Sequence, residues 1–396
     1  MRAWRAAALL LGLLVLLGAL AWRAAARPAA PLAASLSLRE TMGARADDAL
    51  YARAAAPRAF AFPADHGPHP EFRTEWWYFT GNLRAEDGRT FGYQLTFFRQ
   101  AVAPEEPGAA PRASAWATRQ VYLAHFALSD LDGRRFRAFE RFARGAAGLA
   151  GAELTPAGQL KVHLEDWRAE GGGGAGAVFP LRLRAAEDGV AIDLELEQGK
   201  PPVLQGDGGL SAKGPEPGNA SYYYSLTRMP TRGTVTVDGR AHEVTGNSWM
   251  DREWSTSALP AGVVGWDWFA LQFDDGSELM LYQLRRADGT TDPFSKGSLV
   301  APDGSASPVS AAELALEPEG RWRAPSGAVY PARWRLAIPS RGLALEVEPV
   351  LADQELPVSI RYWEGAVRVT GTRDGRPVAG AGYLEMTGYA ADPAAR

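Results

Sequence analysis

From Phe60 onward, short segments of alternating polar and apolar residues follow one another, each bounded by Gly, Pro, Asp or Asn. A period of two is the pattern of half-buried strands, and its repetition confines the chain to an antiparallel β architecture. Glu75 to Leu83, Thr90 to Arg99 and Gln120 to Leu128 open the series; Tyr362 to Thr370 and Val378 to Tyr389 close it. About fifteen strands are expected, more than one sheet ordinarily holds, so two barrels, or a barrel and a sandwich, are predicted. Asp87-Gly88, Asp132-Gly133, Asp238-Gly239, Asp275-Gly276 and Asp374-Gly375 sit between segments. Asp-Gly supplies the positive φ angles of tight hairpins, which makes consecutive strands antiparallel neighbours.

An internal echo points to two copies of one plan. Trp77-Tyr78-Phe79 precedes Asp87-Gly88 and Tyr93-Gln94-Leu95; 191 residues after Trp77, Trp268-Phe269 precedes Asp275-Gly276 and Tyr282-Gln283-Leu284. Two stretches read as loops. Gly171 to Gly176 is flexible in composition, and the Gly/Pro-rich run Gly199 to Gly218 is long enough to cover a barrel mouth.

The N-terminus has a different texture. Two arginines in Met1 to Arg5 are followed by 16 apolar residues, Ala6 to Ala21, with Ala19 and Ala21 in an A-x-A cleavage arrangement. Residues 1–26 are therefore read as an export signal, with an uncleaved membrane anchor through residues 6–21 as the alternative. Residues 27–59 are an Ala/Arg-rich spacer in which Leu38 to Ala55 has helical spacing, with Leu38, Met42 and Leu50 on one side. The chain has no cysteine, so thiol nucleophiles and Cys-based zinc sites are excluded and an exported protein must rely on its core. A net charge of -4 gives no electrostatic reason to expect nucleic acid as a partner.

Candidate sites divide by what their neighbours allow. His66 and His69 stand in H-x-x-H spacing beside Asp65 and Glu71, but Gly67, Pro68 and Pro70 forbid a helix. They are read as a rigid approach to the first strand, with ligand contact as the lesser role and no metal expected. Glu75 in Glu75-Trp76-Trp77-Tyr78 is open to two readings, a general acid beside apolar surface or an arginine's ion-pair partner. Adjacent residues face opposite ways on a strand, so one of Trp76 and Trp77 points into the barrel. Hydrolase and phosphate-loop motifs are absent: Gly246-Asn247-Ser248-Trp249-Met250-Asp251 lacks the closing glycine of a nucleophile elbow, and Gly206 to Gly214 lacks the G-K-[ST] order. His125 would need a distant Ser and Asp to form a triad. The densest cluster joins Ser221 to Met229 with Gly246 to Gly276, where Asp251, Arg252 and Glu253 lie between Trp249 and Trp254 and ahead of Trp266 and Trp268. Charges among so many aromatics must be paired or solvated, either in a site or in an ion-pair network at the domain junction.

Several of these stretches, "FPADHGPHPEFRTEWWYFTGNL", "SYYYSLTRM", "MDREWSTS", "GWDWFALQ", "YWEGAVRVTG" and "GYLEMTGYA", resemble the AttH-like, lipocalin-like exported proteins related to carotenoid 1,2-hydratases. The resemblance covers about residues 60 to 390. It implies an all-β fold of two consecutive lipocalin-like antiparallel barrels, here placed at 60–252 and 253–391, and an apolar, isoprenoid-like ligand. It also implies that an Asp in an aromatic-x-Asp strand, here Trp249-Met250-Asp251, protonates a carbon-carbon double bond so that water captures the carbocation. The hydratases' His and Trp correspond in this reading to Tyr222 and Tyr224, and their Tyr to Trp249. The sequence thus leads to an exported protein that binds an apolar molecule without a cofactor. Glu75, Trp76, Trp77, Tyr78, Tyr222, Tyr224, Trp249, Asp251, Arg252, Glu253, Trp266, Trp268 and the three histidines His66, His69 and His125 are placed near the site. Two rival functions remain open: a cofactor-free hydro-lyase with Asp251 as acid, and an envelope accessory protein.

Overall fold

A computed structural model describes residues 47–104, 114–172, 178–257, 259–260 and 262–390. The export or anchor segment, the spacer as far as residue 46 and most of the Gly171 to Gly176 run lie outside the described residues. Among those described, the first sheet has strands β1 (Thr74–Ala85), β2 (Thr90–Ala101), β3 (Gln120–Asp130), β4 (Arg135–Arg144), β5 (Ala150–Leu154), β6 (Leu160–Leu164), β7 (Trp167–Gly171), β8 (Leu181–Glu187), β9 (Val190–Leu196), β10 (Val203–Leu204), β11 (Leu210–Ala212), β12 (Ala220–Val237) and β13 (Arg240–Ser257). The second has β14 (Val263–Phe273), β15 (Glu278–Arg286), β16 (Lys296–Val300), β17 (Ala306–Ser310), β18 (Ala315–Arg323), β19 (Val329–Ile338), β20 (Leu343–Pro349), β21 (Glu355–Leu356), β22 (Tyr362–Arg373) and β23 (Arg376–Met386).

Every pairing is antiparallel, and in each sheet the first strand lies beside the last, β1 on β13 and β14 on β23. This arrangement curls each sheet into a barrel or half-barrel around its own apolar filling, as the resemblance implies. The first sheet runs to Ser257 and the second starts at Val263. The echoed motifs form the opening hairpin of each sheet, but with different register: Tyr93 faces Gly81, whereas Tyr282 faces Trp268. At Asp238-Gly239 and Asp374-Gly375 both residues have positive φ, as a two-residue hairpin of matching twist requires.

Three expectations need correction. Strands are more numerous than about fifteen, partly because the charged run Arg135 to Arg144 hid β4, which shows no clean alternation of burial. The described end of the proposed helix, from Asp47, forms only a three-residue 3₁₀ turn, Asp48–Leu50, and then runs extended. Its backbone is claimed from outside: Ala52 N–H donates to the Glu71 carbonyl at 2.9 Å, and the Ala56 carbonyl accepts from the Tyr222 hydroxyl at 2.8 Å. The Gly199 to Gly218 run is not a free lid, because β10 and β11 pair with β12 and Lys200 Nζ reaches Glu278 of the second sheet at 2.8 Å.

Between the barrels a separate aromatic cluster unites Tyr78, Tyr223, Trp249, Trp268, Tyr282 and Tyr383. The sheets approach closely beside it. A Cβ at Gly92 would lie 2.7 Å from the Tyr383 hydroxyl and 2.9 Å from the Ala366 Cβ. Gly92→Leu is expected to force the barrels apart and cost about 1–3 kcal/mol, read as a lower midpoint in urea unfolding.

Candidate functional site

The register of β1, β12 and β13 decides which side chains can meet. Trp77 faces Arg252, Glu75 faces Trp254, and Tyr224 faces Arg252; this set points into the first barrel. Trp76 faces Glu253, Tyr78 faces Asp251, Tyr223 faces Glu253, and Ser225 faces Asp251; this set points toward the second barrel. The candidates therefore divide between two sites on opposite faces of one sheet.

Inside the first barrel lies an ion-pair network. Glu75, 0% exposed, is paired with both Arg99 and Arg252 and accepts from the His69 backbone N–H at 3.0 Å. Burial alone would raise its pKa, but the two guanidinium groups hold it well below the usual carboxylate range. Of the two readings of Glu75, the ion pair is the one realised. Arg252 also lies 3.9 Å above the Trp77 ring and donates to the Gly67 carbonyl at 2.6 Å. His69 stacks on Trp254 at 3.8 Å; its Nδ1 accepts from Arg252 at 3.2 Å, which leaves Nε2–H to donate to Asp65 at 3.1 Å. His66 Nδ1 meets the Tyr224 hydroxyl at 2.6 Å, and burial together with the Arg252 charge lowers its pKa to about 4. Glu75, Trp77, Tyr222, Tyr224, Arg252, His66 and His69 do not line the cavity between the barrels. Among the described residues, no group of three or more His, Asp or Glu side chains is arranged to hold a metal ion.

That cavity, about 340 Å³, is walled by both sheets. Trp76, Tyr78, His125, Asp251, Glu253, Trp266 and Trp268 line it, and Phe142, 61% exposed, marks its open side. Asp251 is 4% exposed. Its Oδ1 accepts from Ser225 Oγ at 2.6 Å and from Trp249 Nε1 at 2.7 Å, while Oδ2 accepts from the Tyr223 hydroxyl. Burial raises the carboxyl pKa to about 7, the three donors offset only part of that rise, and the charge of Glu253 adds to it. Trp268 Nε1 donates to Tyr223 at 3.1 Å, so the second barrel braces the same phenol. Glu253 accepts from Ser221 and lies 3.3 Å from Lys213 Nζ, which sits 4.1 Å above the Tyr282 ring.

From the sequence, Tyr222 and Tyr224 are placed near the site with Asp251, whereas the side chains of β12 that meet Asp251 are Tyr223 and Ser225. Nor does the sequence give a site role to Lys213, Tyr282, Tyr362, Glu364 and Glu385, which also line the cavity, from β15, β22, β23 and the strap ahead of β12.

A family model described as AttH-like matches residues 53–389. A solved Nitrosomonas europaea protein described as AttH is 34% identical, with 85% of this chain and 99% of that chain covered and a TM-score of 0.73. Kievitone hydratase of Fusarium solani subsp. phaseoli is 24% identical over 213 residues, 52% of this chain and 59% of the relative's length. The solved kievitone hydratase of Nectria haematococca shares the fold at 16% identity and a TM-score of 0.63, over 85% of this chain and 95% of that chain.

Proposed function

We propose that this chain, which belongs to the AttH-like family, is an exported, cofactor-free hydro-lyase. It adds water to a carbon-carbon double bond of an apolar, isoprenoid-like molecule held between its barrels. The observation that carries this reading is the Asp251 carboxyl, enclosed by aromatic side chains with a pKa raised to about 7. A carboxyl so poised is protonated in a large fraction of molecules at neutral pH, which a general acid needs. Relatedness to a kievitone hydratase supports the reaction class.

The chemistry follows from the wall. Oδ1 is occupied by Ser225 and Trp249, so the transferable proton resides on Oδ2, beside Tyr223. Its transfer to one alkene carbon leaves a cation at the other, for which Trp76, Tyr78, Trp266 and Trp268, which line the cavity, supply the stabilising π-systems. Water then closes the C–O bond. Purified protein incubated with acyclic carotenoids and shorter prenylated alkenes is expected to yield a product heavier by one water, detected by mass spectrometry. Ligand recovered bound but unchanged would sink the enzymatic reading and leave a carrier.

Tyr223 tunes the acid. Its hydroxyl stabilises the ionised form of Asp251, so Tyr223→Phe is expected to raise the Asp251 pKa further. The alkaline limb of the rate profile should then move to higher pH, by about one unit, measured as hydration rate against pH.

A further inference from the structure

Opposite Asp251, the second barrel presents two carboxyls directly across a strand pair: Glu364 of β22 faces Glu385 of β23, and both line the cavity. We infer that Glu364 and Glu385 act as a pair holding one proton between them, that this pair is the base which deprotonates the attacking water, and that Tyr362, His125 and Glu140 carry its proton to the surface. This rests on the hydratase reading above.

The geometry supports each part. Glu364 is 1% exposed and accepts from the hydroxyls of Tyr78 and Tyr362. Glu385 interacts with Trp266 and keeps accessible surface where it faces the cavity. Two carboxylates facing each other in an apolar wall cannot both ionise: burial raises both pKa values, the charge of Glu385 raises that of Glu364 further, and one negative charge is left to serve as base. The charges of Asp251, Glu253 and Asp267 act on Glu385 in the same direction, and Lys213 is taken up by Glu253. From Glu364 a continuous path leads outward. The Tyr362 hydroxyl meets His125 Nδ1 at 2.8 Å, and His125 Nε2 meets Glu140 at 3.1 Å, where the Glu140 side chain is 25% exposed. The path crosses from the second barrel to the first, and it gives the buried His125 a role beyond packing.

The step balances. Asp251 gives its proton to one alkene carbon; a water oxygen bonds to the other and loses a proton to the ionised member of the pair. Once the pair is fully protonated, Glu364 donates to the Tyr362 oxygen and the Tyr362 hydroxyl turns to His125 Nδ1; the added proton moves to Tyr362 as the Tyr362 proton moves to Nδ1, the Nε2 proton passes to Glu140 and solvent, and exchange with solvent restores the starting tautomer of His125. Asp251 recovers a proton from solvent, so the net change is alkene plus water to alcohol.

Infrared difference spectra of the substrate-free protein are expected to show a protonated-carboxyl band at pH 7 that persists in Asp251→Asn and changes in Glu364→Gln and Glu385→Gln. Dicyclohexylcarbodiimide, which attacks protonated carboxyls in apolar surroundings, should label one member of the pair in the unaltered protein, as located by peptide mass mapping. Absence of both signals overturns the pair whatever the substrate. With an alkene that wild type hydrates, Glu385→Gln should lower the rate about 10²-fold. His125→Ala should slow turnover in a way that added imidazole restores. Hydration within twofold of wild type in Glu385→Gln overturns the base while sparing Asp251 as acid. If no alkene is hydrated at all, the base role falls with the hydratase reading, even where the shared proton is seen.

Discussion

Asp251→Asn is expected to lower the hydration rate by about 10²–10⁴-fold, the range over which a positioned general acid contributes. The substitution is nearly isosteric. The amide oxygen can still accept from Ser225 and Trp249, and the amide nitrogen can donate to the Tyr223 oxygen, so the network that holds the side chain persists. What disappears is the transferable proton. Binding of the apolar molecule should therefore survive, and the loss should appear in kcat with KM little changed. In wild type the rate should fall as pH rises through about 7, where the acid ionises.

The same variant carries a stability signature with a definite sign. An aspartate in the unfolded chain titrates near its ordinary value of 3.8, whereas Asp251 in the fold titrates at about 7. Below 3.8 both states bind the proton and there is no contribution. Between those values the unfolded state releases a proton that the native state keeps, so wild-type stability falls with rising pH and levels off above 7. The loss is several kcal/mol at most by linkage. Asp251→Asn should raise the thermal midpoint relative to wild type at pH 8 and much less at pH 4. A variant that loses activity and gains no stability at pH 8 would mean that Asp251 does not carry its proton into the neutral range. The trade is typical of a functional group held where folding alone would not place it.

Much of the architecture can be read from alternation alone, because period two and Asp-Gly turns act locally. The faces of the site strands are a different matter. "SYYYS" places aromatics on both faces of β12, so nothing local distinguishes Tyr222 and Tyr224 from Tyr223. The choice is made by pairing with β13, where register shifts flank the segment on both sides. The Trp76-Trp77 dipeptide shows the same ambiguity, resolved when Trp77 meets Arg252 inside the barrel. Glu364 and Glu385 stand within the motifs "YWEGAVRVTG" and "GYLEMTGYA", yet their encounter exists only once β22 lies on β23 in the observed register. Asp251 is accessible from sequence because a family resemblance points to it; its partners are properties of the paired sheets.

Glu75→Gln is expected to destabilise the protein by about 3–5 kcal/mol, the cost of leaving buried charge without its counterion. Glu75 is the shared carboxylate of Arg99 and Arg252, side chains 1% and 0% exposed, so neutralising it strands two guanidinium groups. Arg252 has the Gly67 carbonyl and the Trp77 face in reserve, and Arg99 has the Phe72 carbonyl at 2.7 Å, but neither alternative carries a full negative charge. The loss should appear as a lower urea midpoint across neutral pH. Because the folded pKa lies below the unfolded one, the stabilisation is fully present above the usual glutamate pKa and fades progressively as pH falls from there into the strongly acid range. The effect on chemistry should be indirect. Arg252 lies between Asp251 and Glu253 on β13, with its side chain on the opposite face of the strand, so the ion-pair network inside the first barrel is the backing against which the cavity-facing carboxyls are set. Assayed well below its unfolding midpoint, Glu75→Gln should retain turnover within a few-fold of wild type and keep the alkaline limb near pH 7. A shifted limb in a fully folded variant would show that the two faces of β13 are coupled more tightly than a rigid strand allows.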